Sequence, residues 1–133
     1  PEYLVVANRT VAKAEALAQE FADLGKVTAR GLTDLGSEPG FDVIINATSA
    51  GLKGETPSLP GSLLGDRCCC YDMVYGADPT AFMRWAAENA AWAVSDGLGM
   101  LVEQAAESFY TWHQERPDTA SVINHLRGSL AAA

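Results

Sequence analysis

The stretch Phe41-Asp-Val-Ile-Ile-Asn46-Ala-Thr-Ser-Ala-Gly51 decides the fold. Its first six residues are the strongest strand signal in the chain, an apolar β-branched run that stops at a polar residue. Small and hydroxyl-bearing residues follow at once, and a Gly- and Pro-rich loop continues from Thr48 to Gly65, longer than a plain connector needs to be. Upstream, Tyr3-Leu-Val-Val-Ala7 is a second apolar run and reads as a buried parallel strand. Between the two, Ala14, Leu17, Ala18, Phe21 and Leu24 recur at i, i+3, i+4, i+7 and i+10. That spacing predicts an amphipathic helix from Val11 to Leu24, with Asn8 or Thr10 as N-cap and Gly25 as its stop. Lys26–Arg30 reads as a weaker strand, and residues 31–40 as a short helical turn and loop.

Downstream the alternation continues. Cys68–Val74 is another buried strand, Pro79 opens a helix to about Asn89, and Ala91–Val94 is a short strand. Asp96-Gly97 turns the chain into a long helix from Leu98 to Gln114. Pro117 breaks it, and Asp118 or Thr119 caps a last helix to about Leu130, before a run of alanines that reads as a frayed end. Strand and helix in alternation are the signature of crossover units in a parallel α/β sheet.

Composition narrows the class. The chain has 133 residues, 48% of them apolar, enough for one domain or a piece of a larger one. No apolar run approaches the roughly 20 residues of a membrane helix. Pro1-Glu2-Tyr3 shows no secretory leader, so a cytoplasmic protein is expected. The net charge of -8 argues against a nucleic-acid surface, though not against one small anionic site. The three cysteines, Cys68, Cys69 and Cys70, are consecutive. They cannot supply a spaced metal cage or a disulfide framework, and they read as small residues of a buried strand.

Four clusters fall where strands end, the place at which open α/β sheets bind ligands. Asn8, Arg9, Thr10 and Lys13 lie at a strand end and a helix start, where free N–H groups and a partial positive charge suit a phosphate. No acid is present to receive a ribose 2′-hydroxyl, so the charge favours NADP over NAD. A solvated Arg beside a capping Asn or Thr is the plain alternative. Asn46, Ala47 and Thr48 leave room for a flat ligand, or form an ordinary strand-ending turn. Met73 could pack against a ring and Tyr75 meet a substrate, or both could be rim packing. Asp72 reads as an internal hydrogen-bonding acid rather than a base. Gly97 and Gly99 permit close backbone approach. Gln104, two turns on, either faces a polyhydroxylated ligand or is a surface residue. His113 and His125 lack neighbours at ligand spacing and read as exposed.

The order and spacing of these strings, Asn8-Arg-Thr10 with Lys13, Phe41–Gly51, Tyr71-Asp-Met-Val-Tyr75 and Asp96-Gly-Leu-Gly-Met-Leu-Val-Glu-Gln-Ala105, resemble the shikimate dehydrogenase family from about Leu4 to His113. The resemblance implies an incomplete, three-layer, Rossmann-like NADP-binding domain. Its parent would reduce 3-dehydroshikimate to shikimate with NADPH. Asn8, Arg9, Thr10 and Lys13 would hold the adenosine ribose and its 2′-phosphate. Ala47 and Thr48 would line the cofactor's path, Met73 and Gly97 would border the nicotinamide, and Tyr75 and Gln104 would face the substrate. Helices 98–114 and 118–130 would pack toward the substrate domain. A quinate-using relative, another NADP enzyme and a non-catalytic Rossmann-like interaction domain are the alternatives.

The same resemblance brings departures. The family's first nucleotide-binding strand and its glycine-rich turn have no counterpart before Tyr3, nor does the substrate domain that carries its proton-transferring lysine and aspartate. Lys53 and Asp72 do not match that pair. A fragment without catalysis of its own is expected. The absent strand would lie between the Tyr3 and Phe41 strands, so the chain should dimerise through the two open edges or rearrange to join them.

Overall fold

Residues 1–48 and 58–132 of the computed structural model are described, and they hold five strands and four α-helices. The chain opens with β1 (Leu4–Asn8), α1 (Val11–Glu20) and β2 (Val27–Gly31). The two strands run parallel, with Leu4 opposite Val27 and Asn8 opposite Gly31. A parallel pair needs a crossover, and α1 supplies it by laying the small, buried Ala14 and Ala18 toward the strands. The expected helix to Leu24 is four residues too long. Helical spacing continues through Phe21 and Leu24, but the buried stripe is the alanine one. Leu17, Phe21 and Leu24 stay exposed, so no packing holds the last turn and the chain leaves the helix at Phe21.

After a 3₁₀ turn at Leu32–Ser37, a second sheet forms from β3 (Phe41–Asn46), β4 (Leu64–Asp72) and β5 (Ala93–Ser95), in the order β3-β4-β5 and parallel throughout. β3 has the limits its sequence predicts. β4 starts four residues before the expected Cys68, because Leu64 pairs with Phe41 across a register shift that no alternation in Gly65-Asp66-Arg67 signals. It stops at Asp72 rather than Val74, where the Asp72 side chain accepts the Val74 N–H and turns the backbone out of the ladder.

α2 (Ala81–Glu88) joins β4 to β5 and covers one face of this sheet. It begins after Thr80 rather than at Pro79, because the Thr80 hydroxyl accepts the Met83 N–H and so caps it. Alternation along β4 turns Cys68, Cys70 and Asp72 to the same side. The two cysteines meet Phe82 and Ala86 of α2 in the core, flanked by Ile44, Trp85 and Val94. Phe82 is 1% exposed, and burying such a side chain contributes about 1.5–3 kcal/mol. All three cysteines are free thiols, and burial pushes that of Cys70 up to about 12.

On the opposite face Val43 and Ile45 are left more than half exposed. β1 and β3 are not hydrogen-bonded to each other, so the rearrangement expected to join them is not adopted. Each keeps an open edge among the described residues. The Tyr3 and Phe41 rings, 6.0 Å apart, set the starts of the two strands side by side.

The final helices are α3 (Leu98–His113) and α4 (Thr119–Ala131), which pack together. α3 ends one residue before Gln114, which takes a left-handed φ of 57°. α4 is capped by Asp118, whose carboxylate accepts the Ala120 N–H, and it reaches Ala131, further into the terminal alanines than expected. Neither of these helices, nor any other among the described residues, is long and apolar enough to cross a membrane.

Candidate functional site

The expected site residues gather in two places, one at the end of each sheet. On the first sheet, Asn8 closes β1 and turns its side chain forward, its Oδ1 accepting the Thr10 N–H at 2.9 Å. Thr10 is the N-cap of α1 but makes no side-chain capping bond, and no acid stands in the first turn. The Lys13 N–H turns back onto the Thr10 carbonyl at 3.0 Å, which leaves the Val11 and Ala12 N–H groups for an outside acceptor. Arg9 and Lys13 are exposed on either side of this turn, and among the described residues neither is in an ion pair. Other described cations have partners: Lys26 lies over the Tyr3 ring, Arg67 over the Trp92 ring, and Arg84 donates to the Pro79 carbonyl. Arg30 pairs with Glu38 at 2.5 Å, Arg116 with Glu107 at 2.6 Å and Arg127 with Asp96 at 2.7 Å.

On the second sheet, Thr48, Met73 and Gly97 form one continuous rim. The Thr48 hydroxyl and N–H both donate to Asn46 Oδ1, at 2.8 and 3.2 Å. The Met73 N–H donates to the Asn46 carbonyl at 3.0 Å, closing the β3–β4 ladder. Gly97 is buried against Met73, and a Cβ at its position would overlap the Met73 carbonyl oxygen. Only glycine lets the start of α3 sit this close to the end of β4. Met73 itself is 42% exposed and Ala47 is exposed, so the rim presents one apolar side chain and a bare stretch of backbone. Tyr75 lies beyond the rim, 40% exposed, and Gln104 is exposed on α3. Ser49, Ala50, Gly51 and Lys53 lie outside the described residues.

Two acids stand behind the rim. Asp72 is fully buried and accepts three hydrogen bonds from within the fold, as an internal acid should. Asp96, at the end of β5, takes both arms of the Arg127 guanidinium at 2.7 Å and accepts the Leu98 N–H at 3.3 Å. The bonds from Arg127 hold its carboxyl below the usual carboxylate range, against the opposing push of burial. Arg127 also donates to the Gly76 carbonyl, so α4 is pinned to the ends of β4 and β5 together. Sequence reasoning missed Arg127 and Thr80. The first lies 31 positions from its partner with no motif to announce it, while the second had a visible signal, a Thr just ahead of an apolar run.

His113 and His125 are exposed, and among the described residues no three His, Cys, Asp or Glu side chains gather closely enough for a metal. Among the described residues the second-sheet rim offers shape and hydrogen-bond acceptors, and the first-sheet turn offers two cations in no ion pair.

Among the known proteins that this chain is similar to are shikimate dehydrogenases. The family model described as "Shikimate 5'-dehydrogenase C-terminal domain" matches residues 97–127. The shikimate dehydrogenase (NADP(+)) of Cellvibrio japonicus is 53% identical over 130 residues, which is 98% of this chain and 47% of that enzyme. The chain thus spans about half the length of the curated relatives it matches. Among solved structures, an Ael1 enzyme from Pseudomonas putida is 44% identical with a TM-score of 0.85, over 95% of this chain and 46% of that one. A shikimate 5-dehydrogenase from Thermus thermophilus, in complex with NADP(H) and shikimate, is 31% identical with a TM-score of 0.76, over 95% of this chain and 46% of that one.

Proposed function

We propose that this chain, which belongs to the shikimate dehydrogenase family, is the half of such an enzyme that grips NADP(H) and presents its nicotinamide to 3-dehydroshikimate. The observation that carries the reading is a pair of cations, Arg9 and Lys13, in no ion pair among the described residues and set at the start of α1, whose N-cap side chain makes no capping bond. A helix start with free N–H groups and a forked guanidinium suits a phosphate, and no acid stands in that first turn to repel one. Asn8, Arg9, Thr10 and Lys13 hold the adenosine ribose and its 2′-phosphate. Ala47 and Thr48 line the way across the sheet, and Met73 and Gly97 border the nicotinamide. Tyr75 and Gln104, both exposed beyond the rim, face the substrate. α3 and α4 are the elements that pack toward the substrate-binding part.

Bound NADPH supplies the hydride. The residues of this chain orient it: Gly97 brings α3 against Met73, and Met73 offers one apolar flank for a flat ring. The proton-transferring pair and the glycine-rich pyrophosphate cradle belong to the half of the relatives' length that this chain does not match. On its own the chain binds without catalysing. Three free cysteines, two of them buried, suit the reducing cytoplasm. The open edges of β1 and β3 suit pairing with a second copy when nothing else fills them, which light scattering tests by finding twice the chain mass.

The decisive experiment titrates NADPH and NADH into the chain by calorimetry, before and after Arg9→Ala. The reading expects NADPH to bind more tightly and Arg9→Ala to erase the difference. Equal affinities in the unaltered chain, or no binding of either nucleotide, would overturn it.

A further inference from the structure

The buried carboxylate of Asp72 makes no contact with solvent, yet it is bonded to three of the segments around the second-sheet rim. Its Oδ1 accepts from Asn46 Nδ2 at 3.2 Å and from the Val74 N–H at 3.1 Å, and its Oδ2 accepts from the Thr80 hydroxyl at 2.6 Å. Each bond reaches a different segment: the end of β3, the turn after β4 and the cap of α2. The Asn46 amide is oriented by this arrangement. Its nitrogen faces the carboxylate, so its oxygen is left to take the Thr48 N–H and hydroxyl. With its proton committed to Asn46, the Thr48 oxygen can only accept. It presents a lone pair to whatever lies on the rim.

We propose that Asp72 is a positioning residue for the cofactor rim, which fixes Thr48 as an acceptor through Asn46 and fixes the Met73–Val74 turn directly. The claim rests on the reading that this rim takes NADP(H). Burying a carboxylate is costly unless donors surround it. Three donors do so here, and a neutral amide could satisfy only those that meet its oxygen. Thr80, held by the same carboxylate, in turn caps α2, so the rim and the helix that backs it move as one piece.

The test compares Asp72→Ala and Asp72→Asn with Trp85→Phe in the same core. The last removes the indole bond to the Leu59 carbonyl and leaves the Asp72 network untouched. Amide hydrogen exchange is read at Thr48 and Val74 relative to Cys70 within β4, and NADP+ affinity is measured by calorimetry. Loss of a hydrogen bond to a charged group corresponds to about tenfold or more. Asp72→Ala should therefore raise exchange at Thr48 and Val74 by at least about tenfold over Cys70, and weaken NADP+ binding by a similar factor. Asp72→Asn keeps the oxygen that faces Asn46 and Val74, so it should recover most of both. Trp85→Phe should lower the melting temperature and move neither ratio. If all variants accelerate exchange at Thr48, Val74 and Cys70 alike, in step with their melting temperatures, Asp72 is a structural residue only and the proposal fails. If the unaltered chain does not bind NADP+, the functional reading fails, and the exchange ratios still decide whether Asp72 positions the rim.

Discussion

Replacing Arg127 by Met removes the latch between α4 and the sheet while keeping the apolar stem of the side chain. Breaking a fully buried ion pair from one side costs about 3–5 kcal/mol, and an exposed pair is worth about 0–1 kcal/mol. The Asp96 side chain is 7% exposed and that of Arg127 is 44%, so solvent screens one partner only and the expected loss is about 2 kcal/mol. For the three-stranded unit that holds the pair, roughly 90 residues, that corresponds to about 8–16 °C in the melting of that unit. The pH dependence has a definite sign. Arg127 lowers the Asp96 carboxyl in the folded state, so the pair's stabilisation is fully present above the ordinary carboxylate value of about 4. It is lost as pH falls through the depressed folded value. Circular-dichroism melts of the unaltered chain and Arg127→Met should differ fully at pH 7 and converge on acidification. In an Asp96→Asn background, Arg127→Met should cost far less. A gap below about 2 °C at pH 7, or one that survives in acid, would refute the assignment of a latch.

Gly97→Ala should cost about 1–3 kcal/mol in stability, because its Cβ meets backbone and not a side chain that could swing aside. The same substitution should weaken NADP+ binding, and thermal melts with calorimetry check both. Burial raises the thiols of Cys68 and Cys70, the latter to about 12, so a disulfide reagent at pH 8 should label only Cys69 in the folded chain and all three after denaturation. Peptide mapping after labelling would decide it.

The sequence announces what depends on local pattern. β3 is read to the residue because its apolar run is bounded by Gly40 on one side and a polar Asn46 on the other. The free, alternating cysteines follow from the two-residue period of a strand. What escapes is imposed from elsewhere in the fold. The first half of β4, with Asp66 and Arg67, is a strand only because β3 pairs with it. The extra turn expected after Glu20 fails because Leu17, Phe21 and Leu24 find no surface to cover. In the site, Gly97 is legible as a glycine that must permit an approach, but the partner, the Met73 carbonyl, is not. Arg127 carries no local sign at all, since its meaning comes from an acid on β5 brought near by the packing of α4. Long-range charge pairs of this kind are invisible to periodicity.

Among the described residues β1–β2 and β3–β4–β5 share no ladder, and this has a thermodynamic corollary. A single all-or-none transition requires that losing one part of a structure destabilise the rest. Here the N-terminal βαβ unit contributes its crossover helix and its pair of strands to itself, and so does the three-stranded unit behind α2. The chain should melt as two foldons of unequal strength, the alanine-faced one first, with its amides exchanging through local opening while those of Cys68 and Cys70 wait for the second event.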